Sequence, residues 1–220
     1  MINKVVQSVD EAIAGIQSGA TILVGGFGGA GIPRALLAGL LNKRDVGNLT
    51  LVNNNAGSGD PSFSKLVEEG RVSKIVCSYP RMPGKEVLLK KIAEGVLRLE
   101  VISQGTLVER MRAAGAGLGP FFTPTGFATV FAEGKESRVI NGKGYVLEHP
   151  LHADYAFVKA SVADPFGNLL YRYASRNFGP VMCSAAHTTI VEVDQIVDIG
   201  GIDPCHVVTP SVFVDRIVKV

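Results

Sequence analysis

The chain has 220 residues, 46% hydrophobic and 19% charged, enough for one sizeable buried core and short for two domains. Its 22 basic and 20 acidic residues leave a net charge of +2, and with no Trp and 7% aromatics it offers neither whole-molecule attraction to nucleic acid or anionic membrane nor a base-stacking platform. The longest uncharged segment near the start, Gly19 to Pro33, has 15 residues, six of them Gly, against the roughly 20 apolar residues a membrane span needs.

The N-terminal MINKVVQSVDEAIAG carries acidic residues and lacks a signal-peptide apolar core, which leads us to expect a cytoplasmic protein. Cys77, Cys183 and Cys205 show no CxxC or zinc-finger spacing, so free thiols in or near the core are expected. Ser8 and Glu11 form a capping-box pattern that predicts a helix to about Gln17. TILVGG, residues 21–26, predicts a buried strand ending in glycine, and Pro33 followed by Leu36, Leu37, Leu40 and Leu41 predicts a helix with one apolar face. Strands over 49–52, 72–78 and 97–103 then alternate with helices over 62–70, 85–94 and 106–115. Residues 121–147 read as turns and short strands, after which YAFVKAS, TTIVEVDQIV and FVDRIVKV return as strands. The alternation predicts a single α/β domain over residues 1–220, a mostly parallel sheet with helices on both faces.

VGGFGGAGIP, residues 24–33, lies between a predicted strand and helix, where glycines permit positive φ and close approach of a ligand. The helix start is expected to offer unpaired N–H groups to an anion. Gly26, Gly28 and Gly31 satisfy G-x-G-x-x-G, but a dinucleotide site also needs an acid about 20 residues on, and the next strand ends in Val52-Asn53-Asn54-Asn55. A purely structural glycine turn is the plain alternative.

Ligands collect at the carboxyl ends of parallel strands. Three predicted ends carry polar groups: Asn53 to Asn55, Cys77 to Arg81, and Ser103-Gln104-Gly105. Asn54 and Gln104 are candidates for N–H donors to a developing carbonyl oxyanion; turn formation or helix capping is the competing reading. Arg172 and Arg176 are candidates for a phosphate or carboxylate, with solvated surface as the alternative. His149 and His152 lack a third metal ligand and read as rim residues, so no metal is expected. The chain has no G-x-S-x-G elbow and no paired metal carboxylates. Glu109 and Glu148 are the acids in interesting surroundings, and Glu109, beside Arg110 and Arg112, reads as an ion-pair residue.

With these residues in view, the chain resembles the A subunits of the 3-oxoacid CoA-transferases. Ser18-Gly19-Ala20-Thr21-Ile22-Leu23-Val24-Gly25-Gly26-Phe27, closed by Gly31 and Pro33, matches the family's first signature except at Ser18, where the family has Asp or Asn. NNAG at 54–57, SQGTLVER at 103–110, FFTPTG at 121–126, YVLEHPLHADYAFVKA at 145–160 and GNLLYRYASRNFGP at 167–180 extend the likeness over the whole chain. The resemblance implies CoA transfer between carboxylates on a glutamate of a partner, the B subunit of the CoA-transferase, in a heterodimer or α2β2 heterotetramer. It implies Asn54 and Gln104 as oxyanion donors and Gly26, Gly28, Gly29 and Gly31 around a coenzyme A thioester, which is substrate rather than resident cofactor. NNNAGSGD, CSYPR and RNFGP liken the chain most to members that act on 3-oxoadipate with succinyl-CoA; acetoacetate, acetate and butyrate are the other acceptors. The second carboxylate of 3-oxoadipate needs a cationic end pocket, for which Arg81 and Arg176 are the candidates. A reading of another class, a non-catalytic sugar-phosphate or nucleotide-binding α/β domain, requires no partner.

Overall fold

Strand β1 (Val5–Val6) leads to α1 (Val9–Ala12), whose start is fixed as the sequence predicts: Ser8 Oγ accepts from Glu11 N at 3.1 Å, and the Glu11 carboxylate accepts from Gln7 N at 2.8 Å. The helix stops after about one turn instead of running to Gln17, because Gly15 takes a φ of +87° and turns the backbone out of the helix. The protein, described here by a computed structural model over residues 2–57, 59–80 and 85–220, then follows the predicted alternation. In order come β2 (Thr21–Val24), α2 (Arg34–Asn42), β3 (Leu49–Val52), α3 (Pro61–Glu68), β4 (Val72–Cys77), α4 (Lys85–Ala93), β5 (Arg98–Val101) and α5 (Gln104–Gly115). Helix α5 begins two residues earlier than the sequence pattern suggests, which puts Gln104 in its first turn.

Next come β6 (Phe121–Thr123), β7 (Ser137–Ile140) and β8 (Lys143–Glu148), which form a separate antiparallel sheet in the order β6–β8–β7. The chain then returns to the main sheet with β9 (Ala153–Ala163), β10 (Leu169–Leu170), α6 (Gly179–Ala185), β11 (Ala186–Ile196) and β12 (Arg216–Lys219). The main sheet runs β1–β12–β11–β9–β2–β3–β4–β5; these strands pair in parallel, and β10 pairs antiparallel with β9. From β2 the sequence steps outward to β5 on one side, while β9 lies on the other. The boundary between β2 and β9 is therefore a topological switch point, where crossovers diverge and leave a crevice at the carboxyl edge.

Alternate strand residues face opposite layers, which explains the continuous apolar runs. Ile22, Leu51, Ile75 and Phe157 pack with Leu36, Leu40, Phe63 and Leu66 in the layer of helices α1 to α4. Their neighbours Leu23, Val52, Val76 and Val158 pack with Leu107, Met111 and Met182 in the layer of α5 and α6. Each such fully buried side chain contributes about 1.5–3 kcal/mol. The expected sheet with helices on both faces is what the chain forms. Cys77 and Cys183 join these cores, as expected, but Cys205 is exposed. It sits in the single turn Pro204–His206, too short to present an apolar face.

Helix α2 is tied at its carboxyl end by a residue from outside it. The buried Arg71 guanidinium donates to the carbonyls of Leu40, Leu41, Lys43 and Val46, at 2.6–2.7 Å. These include carbonyls a helix cannot satisfy internally.

Candidate active site

The glycine-rich segment leaves β2 at the switch point, with Gly25 N still donating to Phe157 O of β9 at 2.9 Å. Phe27 and Ala30 then exchange backbone hydrogen bonds of 3.0 and 3.1 Å, closing a two-residue hairpin with Gly28 and Gly29 at its tip. The tip residues have φ of +59° and +101°, the pair of positive values that a type I′ turn demands and glycine adopts without a Cβ clash. Around a Cβ at either tip position there is open space. Gly26 and Gly31 serve differently. A Cβ on Gly31 would lie 2.4 Å from Ser175 O, and one on Gly26 would lie 2.7 Å from Ile32 Cγ1. The four glycines thus divide into an open tip and a close-packed base.

The loop after β3 lies against that tip: a Cβ on Gly59 would sit 3.4 Å from Gly29 Cα. Arg34 at the start of α2 holds the same loop, donating to Gly59 O at 2.7 Å and to Asp60 at 3.1 Å. Asn53 is a buried brace, its Nδ2 donating to Val24 O at 2.7 Å and its Oδ1 accepting from Asn55 N and Gly57 N. Asn54 is also buried, at 4% exposure, but engaged only at its oxygen end: Ser78 Oγ lies 2.7 Å from Oδ1 and 2.9 Å from the main-chain oxygen. Among the described residues nothing accepts from Asn54 Nδ2. Gln104 follows β5 and is exposed. Ser103 occupies the cap position of α5, with its Oγ on Thr106 Oγ1 at 2.8 Å, and the Gln104 side chain makes no capping bond. Asn54, Ser78 and Gln104 therefore follow three adjacent strands, β3, β4 and β5, on one edge.

The two arginines grouped by sequence face different recesses. Arg176 lines a crevice of about 490 Å³ between α5 and α6, with Val108, Arg112, Asn177 and Phe178. Arg172 lines a depression of about 470 Å³ above α2, with Gly29, Gly31, Lys159 and Glu192. Neither recess is lined by Asn54 or Gln104. Arg81 lies outside the described residues.

The anion cradle expected at the start of α2 is already filled. Glu192 of β11, 3% exposed, accepts from Ala35 N at 2.8 Å and Leu36 N at 3.0 Å, so these helix amides are not open to a phosphate. Burial raises the Glu192 pKa above the ordinary carboxylate value, although the α2 amides and Lys159, 3.7 Å away, pull it down. Glu192 is not among the residues the sequence singles out; its signal there is a lone acid inside the apolar run TTIVEV. Glu109 pairs with Arg112 at 3.2 Å, as expected, and buried Glu148 contacts Lys135 and lies 3.9 Å from Arg110. His149 and His152 are both exposed, and among the described residues no three His, Cys, Asp or Glu side chains gather as a metal site.

A glycine hairpin at the switch point, beside strand-end amides and with its helix amides taken by a carboxylate, is not a dinucleotide cradle. A family model described as coenzyme A transferase matches residues 6–220. The chain belongs to the coenzyme A transferase family. Among its relatives, the A subunit of 3-oxoadipate CoA-transferase from Pseudomonas putida is 50% identical over 220 residues, covering 100% of this chain and 95% of that protein. The A subunit of succinyl-CoA:3-ketoacid coenzyme A transferase from Helicobacter pylori strain J99 is 39% identical, covering 99% and 93%. A solved acyl-CoA transferase from E. coli O157:H7 superposes with a TM-score of 0.86 at 22% identity, a likeness of fold; it covers 100% of this chain and 47% of that one, so the chain spans about half its length.

One residue of this coenzyme A transferase site is hidden in the sequence. Asn177 lies in the SRNFG stretch beside the more conspicuous arginines, yet it is the amide that contacts the glycine hairpin. Its only sequence signal is an Asn followed by Phe-Gly-Pro, which reads as a turn.

Proposed function

We propose that this chain is the A subunit of a two-subunit enzyme that transfers CoA from succinyl-CoA to 3-oxoadipate. The observation that carries the proposal is the 50% identity, over all 220 residues, to a protein named for that activity and that subunit. The chemistry follows from the carboxylates of the chain. Glu109 and Glu148 sit against basic side chains and Glu192 against the α2 amides, so none of these acids stands ready as a nucleophile. The B subunit supplies the attacking glutamate, in a heterodimer or an α2β2 heterotetramer.

In this reading the partner's carboxylate attacks the thioester carbonyl of succinyl-CoA and expels CoA thiolate, leaving an acyl-glutamyl anhydride. The thiolate returns to the glutamyl carbonyl, releasing succinate and forming glutamyl-CoA, and the acceptor carboxylate reverses the sequence. Every attack builds negative charge on a carbonyl oxygen. Asn54, whose Oδ1 is held by Ser78, directs its N–H2 at that charge, and exposed Gln104 supplies the second donor. Gly28 and Gly29 permit close approach, and Gly26 and Gly31 hold their base. Coenzyme A enters as a thioester and leaves as one, with no metal or resident redox group. The reaction is placed in the cytoplasm, in keeping with three free cysteines.

Arg176, with no carboxylate in ion-pair range among the described residues, receives the remote carboxylate of 3-oxoadipate, with Arg81 as the alternative. The assembled complex is then expected to show a higher kcat/KM for 3-oxoadipate than for acetoacetate with succinyl-CoA as donor. Arg176→Ala or Arg81→Ala should erase that preference more than it slows acetoacetate. A clear acetoacetate preference in the unmodified complex would instead favour the activity for which the 39% identical relative is named.

A further inference from the structure

We propose that Asn177 is a positioning residue whose single carboxamide fastens both legs of the glycine hairpin and so holds the Gly28–Gly29 tip against the loop that carries Asn54. The inference rests on the reading that CoA transfer takes place at this edge. Asn177 Oδ1 accepts from Gly26 N at 3.1 Å, on the leg before the turn, and from Phe178 N at 2.6 Å. Its Nδ2 donates to Ala30 O at 3.2 Å, on the leg after the turn, and to Ser175 O at 2.8 Å. Bridging one leg's N–H and the other leg's C=O from one side chain requires an acceptor and a donor on one rigid group. A carboxamide has both, a carboxylate has no donor, and Ala has neither.

The segment bearing Asn177 is built to hold that group still. Asn177 has φ 26° and ψ −120°, and Tyr173 in the same segment has φ 49°, conformations that cost energy in non-glycine residues. The turn between them is braced by Ser175 Oγ, which contacts both the N–H and the C=O of Arg172. Gly31 closes on Ser175 O with no room for a Cβ, and Phe27 meets Phe178 edge-on at 6.3 Å and 84°. Those apolar and steric contacts seat the hairpin, whereas the Asn177 amide is directional and fixes its angle. On the far side the tip meets Gly59, in the loop after Asn54. A tilt of the hairpin therefore changes the gap between the glycine tip and the oxyanion donors. A displacement of about 1 Å at a reacting centre lowers rate on the order of 10²-fold.

The test uses the two-subunit complex with Asn177→Asp, Asn177→Ala and Asn177→Gly. The Gly variant relieves the positive φ while deleting the clamp, so it should fold with a thermal midpoint near or above that of the parent. The expected result is a kcat about 10-fold or more below the parent in all three, with KM for succinyl-CoA changed by less than about 3-fold. Amide exchange at Gly26, Phe27 and Ala30 should quicken, while exchange within β2 and β9 stays as in the parent. Parental kcat in the Gly variant, with or without faster hairpin exchange, would overturn the positioning role. So would a loss of kcat matched by faster exchange throughout β2 and β9, which marks a merely structural residue. Should the parent complex itself transfer no CoA, the reading of this edge as a CoA-transfer site fails on its own. Exchange at the hairpin then decides the clamp: faster in the variants upholds it, unchanged overturns it.

Discussion

An amide that lends its N–H2 to an oxyanion must be prevented from rotating to offer its oxygen. Ser78 performs that service for Asn54 by occupying Oδ1 at 2.7 Å. Asn53, one residue earlier, has the same side chain and the opposite fate, with both ends consumed by backbone groups. The sequence NNNAG could not tell these two apart, because strand alternation turns neighbouring side chains to opposite faces and the deciding partners come from β2 and β4. Gln104 is the clearer case. Its exposure and the presence of Ser103 at the cap position separate it from helix stability. Gln104→Ala in the complex is therefore expected to lower kcat by on the order of 10²-fold while leaving the thermal midpoint and assembly of the complex unchanged. Steady-state kinetics beside thermal unfolding reads both quantities, and an unchanged kcat would remove Gln104 from the oxyanion site.

Among the elements, α2 depends on distant residues at both ends. Its cap residue, Pro33, has no side chain to accept from the first amides, and Glu192 does so from β11. Arg71, at the start of β4, closes the other end with its donors to four carbonyls. The helix carries the glycine hairpin on its N-terminal side, so what fixes α2 also fixes the hairpin's anchor. Replacing Arg71 with Ala leaves buried carbonyls unpaired and is expected to cost on the order of 3 kcal/mol in denaturant unfolding. A loss below roughly 0.5 kcal/mol, within the range of an ordinary surface substitution, would show that α2 does not need this brace. The helix itself was legible from Leu36, Leu37, Leu40 and Leu41. Its caps were not, since they come from residues some 30 and 150 positions away in sequence.

Across the full chain, the alternation of short apolar runs with amphipathic segments was enough to predict a parallel sheet covered on both faces. Strand order was not readable, and with it the switch point between β2 and β9, because pairing of β2 with a strand some 130 residues on leaves no local trace. The antiparallel sheet of β6, β7 and β8 showed in the sequence only as turns and short strands. The shared site was legible chiefly through the family likeness, which supplied the partner that no residue of this chain announces. On this reading the chain holds half of a reaction site, donors without a free nucleophile. The decisive experiment is CoA transfer from succinyl-CoA to 3-oxoadipate, measured with the purified chain alone and again after the B subunit is added. No transfer by the chain alone and transfer upon reconstitution are expected; substantial turnover by a verified single-chain preparation would contradict the split site.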